Sequence, residues 1–153
     1  MIKRLIRRVL RKTLGLQIYR VGDPQVLAFP NTAQTNRRLI YFHDLLTQVE
    51  EVDGDIVECG VGRGATLFAL SVLSSLFVRE RHLYGFDSFR GLPEPSMEDA
   101  PDGEVVRGGR FAFGSEEVVR ALLRSGLPPH FVDDRITLVG GYFSESLARY
   151  DGT

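Results

Sequence analysis

The sequence predicts an α/β fold, the N-terminal part of a doubly wound parallel sheet, and three observations carry that prediction. Short apolar runs at 55–60, 82–87 and 135–140 have strand length and are bounded by turn residues. Helical stretches separate them, giving the order strand, helix, strand, helix, strand. A connection of that length crosses over right-handed to a parallel neighbour, so helices are expected on both faces of the sheet. Such sheets bind ligands just beyond the carboxyl ends of their strands.

Each element has its own justification. Ile2, Leu5, Ile6, Val9, Leu10 and Leu14 fall at helical spacing over 2–16, with Lys3, Arg4, Arg7, Arg8, Arg11 and Lys12 on the opposite arc. Residues 1–20 therefore read as a basic amphipathic helix. Gly22, Pro24, Pro30 and Asn31 mark a connection, after which Leu39, Ile40, Phe42, Leu45, Leu46 and Val49 give a helix from Thr35 to Val49 its apolar side. Asp53-Gly54 makes a turn, and the strand Asp55 to Gly60 runs straight into a glycine cluster. From Gly64 to Val78 the apolar residues are dense enough for a largely buried helix, ended by Arg79-Glu80-Arg81. His82 to Asp87 is the second strand. Ser88 to Gly114 is rich in Gly and Pro and much longer than the usual connection of about 4–6 residues, which predicts a mobile lid. Ser115 with Glu116 and Glu117 starts a helix, and Gly126 with Pro128 stops it. Arg135 to Gly140 is the third strand, and Ser144 to Arg149 opens a further helix.

Composition narrows the function classes. The chain has 153 residues, 43% hydrophobic and 25% charged, the profile of one folded domain. Its formal charge of −1 argues against a globally basic nucleic-acid binder. The charge is uneven: seven of nineteen basic residues lie in the first twenty positions, and the remaining 133 residues carry twelve basic against twenty acidic groups, a formal −8. The basic helix suits packing on its own domain or on a second subunit in a homo-oligomer. It also suits an anionic membrane surface, where each basic residue contributes about 1 kcal/mol. No run reaches the roughly 18 apolar residues of a spanning helix. Charges interrupt any secretory apolar segment, so the expected location is the cytoplasm, with peripheral membrane contact through 2–16. The single cysteine, Cys59, excludes an intramolecular disulfide and reads as a small buried strand residue. His43, His82 and His130 lack metal-ligand spacing. Neither a phosphate-binding G-x-x-x-x-G-K loop nor a G-x-S-x-G elbow is present.

The chemistry concentrates at Glu58-Cys59-Gly60-Val61-Gly62-Arg63-Gly64-Ala65-Thr66, a glycine-rich turn between strand and helix. Missing β-carbons let the backbone approach a ligand closely. Gly60, Gly62 and Ala65 satisfy the G-x-G-x-x-A form of a dinucleotide fingerprint, so an NAD-dependent oxidoreductase or a sugar-nucleotide enzyme is one reading. Glu58 favours another. A carboxylate two residues before the first glycine repels a pyrophosphate but accepts hydrogen bonds from an ammonium, which points to a cationic adenosine cofactor. Asp87, at the end of the second strand, is placed to hold ribose hydroxyls.

Two blocks then make a specific pair: Gly54-Asp55-Ile56-Val57-Glu58-Cys59-Gly60-Val61-Gly62-Arg63-Gly64, and Tyr84-Gly85-Phe86-Asp87-Ser88-Phe89-Arg90-Gly91-Leu92-Pro93. Together they resemble the macrocin O-methyltransferase family, a branch of the class I S-adenosylmethionine-dependent methyltransferases, over roughly 32–147. The resemblance implies a Rossmann-like methyltransferase sheet. It assigns Glu58 and the backbone of Gly60, Val61, Gly62 and Gly64, with Thr66, to the methionine end of S-adenosylmethionine. Asp87 would take the ribose, and Ser88, Gly141 and Tyr142 the adenine side. An aromatic residue is common in the family where this chain has Gly62. The resemblance also implies methyl transfer to a hydroxyl of a sugar or natural-product-like small molecule, and a magnesium ion held by aspartates after a fourth strand.

No fourth strand is read before Thr153, so residues 21–153 are expected to form an incomplete S-adenosylmethionine-binding domain, truncated after the third strand and inactive alone. Strand 136–139 is expected to lack a neighbour on one side. A non-catalytic interaction module is the remaining reading.

Overall fold

The structure, a computed structural model, describes residues 27, 32–96 and 108–152. The basic helix expected at 2–16 and the middle of the long loop, 97–107, lie outside the described residues. The elements are α1 Ala33–Gln48, β1 Ile56–Cys59, α2 Ala65–Ser74, β2 Leu83–Asp87, α3 Ser115–Ser125, α4 Pro129–Arg135, β3 Ile136–Gly140 and α5 Phe143–Ser146. A 3-10 turn at Leu147–Arg149 follows. No described helix is long and apolar enough to cross a membrane.

Helix α1 starts two residues before the expected position because Thr32 caps it, its hydroxyl accepting the N–H of Thr35 at 3.2 Å. Thr32→Ala is expected to cost about 1 kcal/mol, read as a lowered midpoint of thermal unfolding. Helix α1 buries Leu46 and packs on α2. Helix α2 ends at Ser74 rather than Val78. The hydroxyls of Ser71, Ser74 and Ser75 turn back onto the carbonyls of Leu67, Ser71 and Val72, and turns and bends follow. Arg81, one of the three residues expected to end the helix, is buried. Its guanidinium donates to the carbonyls of Val52 and Gly54, each at 2.8 Å, and to that of Val49, gathering the segment that feeds β1.

The segment 129–135 is a helix, so Arg135, expected to begin the third strand, ends α4 instead. Gly126, with φ of 115°, ends α3, and Pro129 starts α4, since a proline at the first helical position forfeits only an N–H that has no partner there. Helix α4 then runs into β3 without an intervening turn residue.

The three strands are parallel in the order β1-β2-β3, with rows Ile56–Leu83–Ile136, Val57–Tyr84–Thr137, Glu58–Gly85–Leu138 and Cys59–Phe86–Val139. Three parallel strands with flanking helices is the predicted fold class. The helices of the two crossovers share one face of these three strands. Two successive right-handed crossovers stepping in the same direction place both sets of helices on one side. Ile56, Leu83, Ile136 and Leu138 meet Leu67, Val118, Leu122, Leu127 and Val132 there in one core. The opposite face carries Val57, 44% exposed, and Cys59, also exposed, so the reading of Cys59 as buried is overturned by the side of the strand it occupies. Phe86 on that face is fully buried. Tyr84 stacks beside it, and Tyr150 meets both rings edge-on at 5.0 and 6.5 Å.

The strand order also bears on the edge expected at strand 136–139. Doubly wound sheets of order 3-2-1-4-5-6 place the first strand at the centre and the third at the edge. With β3 at one end of the order β1-β2-β3, an edge position for that strand is ordinary in such a sheet.

Candidate active site

Three strand ends meet at β2. The N–H of Gly60, leaving β1, donates to the carbonyl of Phe86 at 2.8 Å, and the N–H of Gly141, leaving β3, donates to the carbonyl of Asp87 at 3.0 Å. Both flanking loops hang on the end of the middle strand. In the first loop Gly60, Gly62 and Gly64 have φ of 92°, 53° and 89°, a left-handed course that residues with a β-carbon rarely follow. Gly64 has a second reason: a β-carbon there would lie 2.9 Å from Val118 Cγ1 on α3. Val61 turns its side chain into the core and its carbonyl accepts the N–H of Gly64 at 2.9 Å, so it fixes the loop.

Asp87 holds this loop and the next. Oδ2 accepts the N–H of Gly62 at 2.9 Å, and Oδ1 accepts the N–H of Phe89 at 2.9 Å. Each oxygen keeps an unused lone pair. Ser88 wraps the same turn, donating from Oγ to the carbonyl of Gly91 at 2.7 Å and accepting the N–H of Arg90 at 3.2 Å. Between them Phe89 has φ of 54°, a conformation that costs energy in a non-glycine residue and is held by these side-chain bonds. The long loop is tied at its base, since Leu92 N–H donates to Arg110 O and Gly109 N–H to Leu92 O, both at 2.9 Å.

Glu58 is the anomaly. Its Oε2 is buried without a hydrogen-bond partner. Burial pushes its pKa up to about 8, with the Arg38 cation pulling down and the Asp87 carboxylate pushing further up. An orphaned acid at the mouth of a glycine loop fits a ligand that brings a cationic donor, as an ammonium does. Thr66, in the first turn of α2, accepts a hydrogen bond from Arg38 Nη2 at 2.8 Å. On the β3 side, Ser88, Phe89, Gly140, Gly141 and Tyr142 line a cavity of about 490 Å³, with Arg90, Glu145 and Arg149 at its walls.

The residues assigned from sequence thus fall into two adjoining groups. Glu58, the glycine loop, Thr66 and Asp87 gather at the ends of β1 and β2, while Ser88, Gly141 and Tyr142 surround the cavity between β2 and β3. Two residues escaped sequence reasoning. Arg38 belongs to none of the motifs read from the sequence. Gly85 was visible only as a letter in a motif, although its missing side chain admits Val61 and Leu67 against β2. Among the described residues no three His, Cys, Asp or Glu side chains converge, so they offer no ligand set for magnesium.

Comparison with known proteins places these features in a family. The sequence profile of the macrocin-O-methyltransferase (TylF) family matches residues 20–152. The chain is 32% identical over 138 residues to the 8-demethyl-8-(2,3-dimethoxy-alpha-L-rhamnosyl)-tetracenomycin-C 4'-O-methyltransferase of Streptomyces olivaceus, covering 82% of this chain and 51% of that protein. It is 28% identical over 131 residues to the mycinamicin III 3''-O-methyltransferase of Micromonospora griseorubida, covering 78% of this chain and 50% of that one. Among solved structures, the calicheamicin methyltransferase CalS11 superposes with a TM-score of 0.63 at 28% identity, covering 78% of this chain and 49% of that chain. The O-methyltransferase NovP does so with a TM-score of 0.57 at 26% identity, over 76% of this chain and 49% of that chain. The chain spans about half the length of the curated relatives it matches. With the profile matched across nearly all of its length, the chain belongs to the macrocin O-methyltransferase family.

Proposed function

We propose that this chain forms the S-adenosylmethionine-binding part of an O-methyltransferase acting on a hydroxyl of a sugar or natural-product-like small molecule. The observation that carries the reading is the buried, unpartnered Oε2 of Glu58 beside the glycine loop. One relative is named as the 4'-O-methyltransferase of a rhamnosyl-tetracenomycin and another as a mycinamicin III 3''-O-methyltransferase, which supports the acceptor class.

When bound, the cofactor supplies a sulfonium methyl group for in-line displacement by the acceptor oxygen. The chain's own residues do the holding. Glu58 receives the ammonium, and the backbone at Gly60, Gly62 and Gly64 lets the methionine end lie close. Asp87 takes the ribose hydroxyls on the lone pairs that Gly62 and Phe89 leave open. Ser88, Gly141 and Tyr142 border the space for the adenine. Holding donor and acceptor in line is where such a site gains rate, because the entropy of alignment is lost on binding rather than in the reaction.

The NAD reading meets a specific obstacle. A dinucleotide loop aims its N–H groups at a pyrophosphate, but the N–H of Gly62 is already given to the Asp87 carboxylate. Calorimetric titration of the chain with S-adenosylmethionine, its demethylated product and NAD is expected to show binding of the first two and none of the third. Binding of NAD with neither of the others would remove the proposal.

A further inference from the structure

Arg38 reaches from α1 to the glycine loop. Its Nη2 donates to Thr66 Oγ1 at 2.8 Å, 28 residues along the chain, and its guanidinium lies 5.9 Å over the ring of Phe42. The side chain is exposed, and among the described residues this is the one hydrogen bond its five N–H donors make. Its charge acts on Glu58, yet Glu58 Oε2 stays without a partner, so a cation and an unpartnered acid border the same glycine loop.

A cation and an acid side by side at one loop complement an α-amino acid, whose ammonium and carboxylate sit on the same carbon. We propose that Arg38 binds the α-carboxylate of the cofactor's methionine end while Glu58 binds its ammonium, and that Arg38 makes the site selective for cofactors that carry this carboxylate. Thr66 is the positioning residue, because its hydroxyl holds the guanidinium in place and leaves the planar fork free for bidentate contact. This rests on the reading of the site as one for S-adenosylmethionine.

Charge bookkeeping makes the claim testable. Decarboxylated S-adenosylmethionine carries one more net positive charge than the intact cofactor. A site equipped only with Glu58 and Asp87 would bind it at least as well. A preference for the intact cofactor requires a cation that recognises the carboxylate. The chain is titrated by calorimetry with both compounds, and so are Arg38→Gln and Arg38→Lys, after circular dichroism melts show that the variants fold.

The unaltered chain is expected to prefer the intact cofactor by about tenfold or more, the range for a hydrogen bond to a charged group. Arg38→Gln should lose that preference by weakening only the carboxylate-bearing compound, and Arg38→Lys should retain part of it. Equal binding of both compounds by the unaltered chain would overturn the role of Arg38 and leave the cofactor reading intact. Equal weakening of both by Arg38→Gln would reduce Arg38 to a structural tie between α1 and α2. Binding of neither compound by the unaltered chain would sink the cofactor reading itself.

Discussion

Glu58→Gln is expected to flatten the pH dependence of stability and to weaken binding of S-adenosylmethionine by about 10- to 100-fold, the range for losing a hydrogen bond to a charged group. The sign follows from where the proton sits. The Glu58 carboxyl titrates near 8 in the folded chain against its usual 4.5, chiefly because burial disfavours the anion. Between those values the folded chain holds a proton that the unfolded chain has released. The stability this contributes is full below pH 4.5 and is lost as pH rises through 8. Denaturant midpoints should therefore fall from pH 5 to pH 9 in the unaltered chain relative to Glu58→Gln. The difference has a ceiling of about 5 kcal/mol for a shift of this size. An ammonium ligand reverses the preference by stabilising the anion, so cofactor binding at pH 7 should release a proton. Titrations in two buffers of different ionisation enthalpy detect that release, and Glu58→Gln should show none. Binding of unchanged affinity without proton release in either protein would remove Glu58 from the site.

The same residue shows what the sequence could and could not disclose. Position 58 was legible because a carboxylate on a short apolar strand, two residues before a glycine, is a costly choice for structure alone. Its protonation was not legible, since that depends on burial and on Arg38, which arrives from another element. The strands were found to within a residue or two because Asp53-Gly54, Gly60, Asp87 and Gly140 punctuate them, and α3 because Ser115 and Gly126 bracket it. Helix α4 escaped because seven residues hold too few apolar positions to show a period, and Pro128 just before it reads as part of the stop of α3. The placement of both crossovers' helices on one face, and with it the exposure of Cys59, follows from strand order. A list of strands in sequence does not contain that order.

Asp87 is a different case, in which a functional reading and a structural one coincide. The sequence reads Asp87 as a ribose acceptor, and the structure shows it also as a turn aspartate, accepting the N–H of Phe89 and that of Gly62. A carboxylate with about four acceptor positions can serve both purposes. The bond to Gly62 ties the loop that would meet the methionine end to the strand end that would meet the ribose. That coupling makes the spacing between the two ends a property of the packing beneath them.

Gly85→Val is expected to destabilise the chain by about 3 kcal/mol or more, the upper end for overpacking a closed core. Glycine weakens a strand interior and is tolerated where another group approaches closely. Here a β-carbon would stand 2.8 Å from Val61 Cγ2, 2.9 Å from Leu138 Cδ2 and 3.4 Å from Leu67 Cδ2. The nearest atoms are side-chain ends, but Val61 and Leu67 are 5% and 0% exposed and have no room to swing away. Relief must come from moving Val61, and Val61 carries the glycine loop. Gly85→Ala, with a single methyl group, should cost about 1–2 kcal/mol and leave a folded chain. In that chain the loop is pushed off β2, the hydrogen bond from Gly62 to Asp87 lengthens, and cofactor affinity should fall by about tenfold, the worth of one hydrogen bond to a charged group. Denaturant midpoints measure the first effect and calorimetry on Gly85→Ala the second. A Gly85→Val chain as stable as the original would mean that the loop is not seated on β2 through Val61, and that its backbone bonds to Phe86 and Asp87 hold it without help from the core.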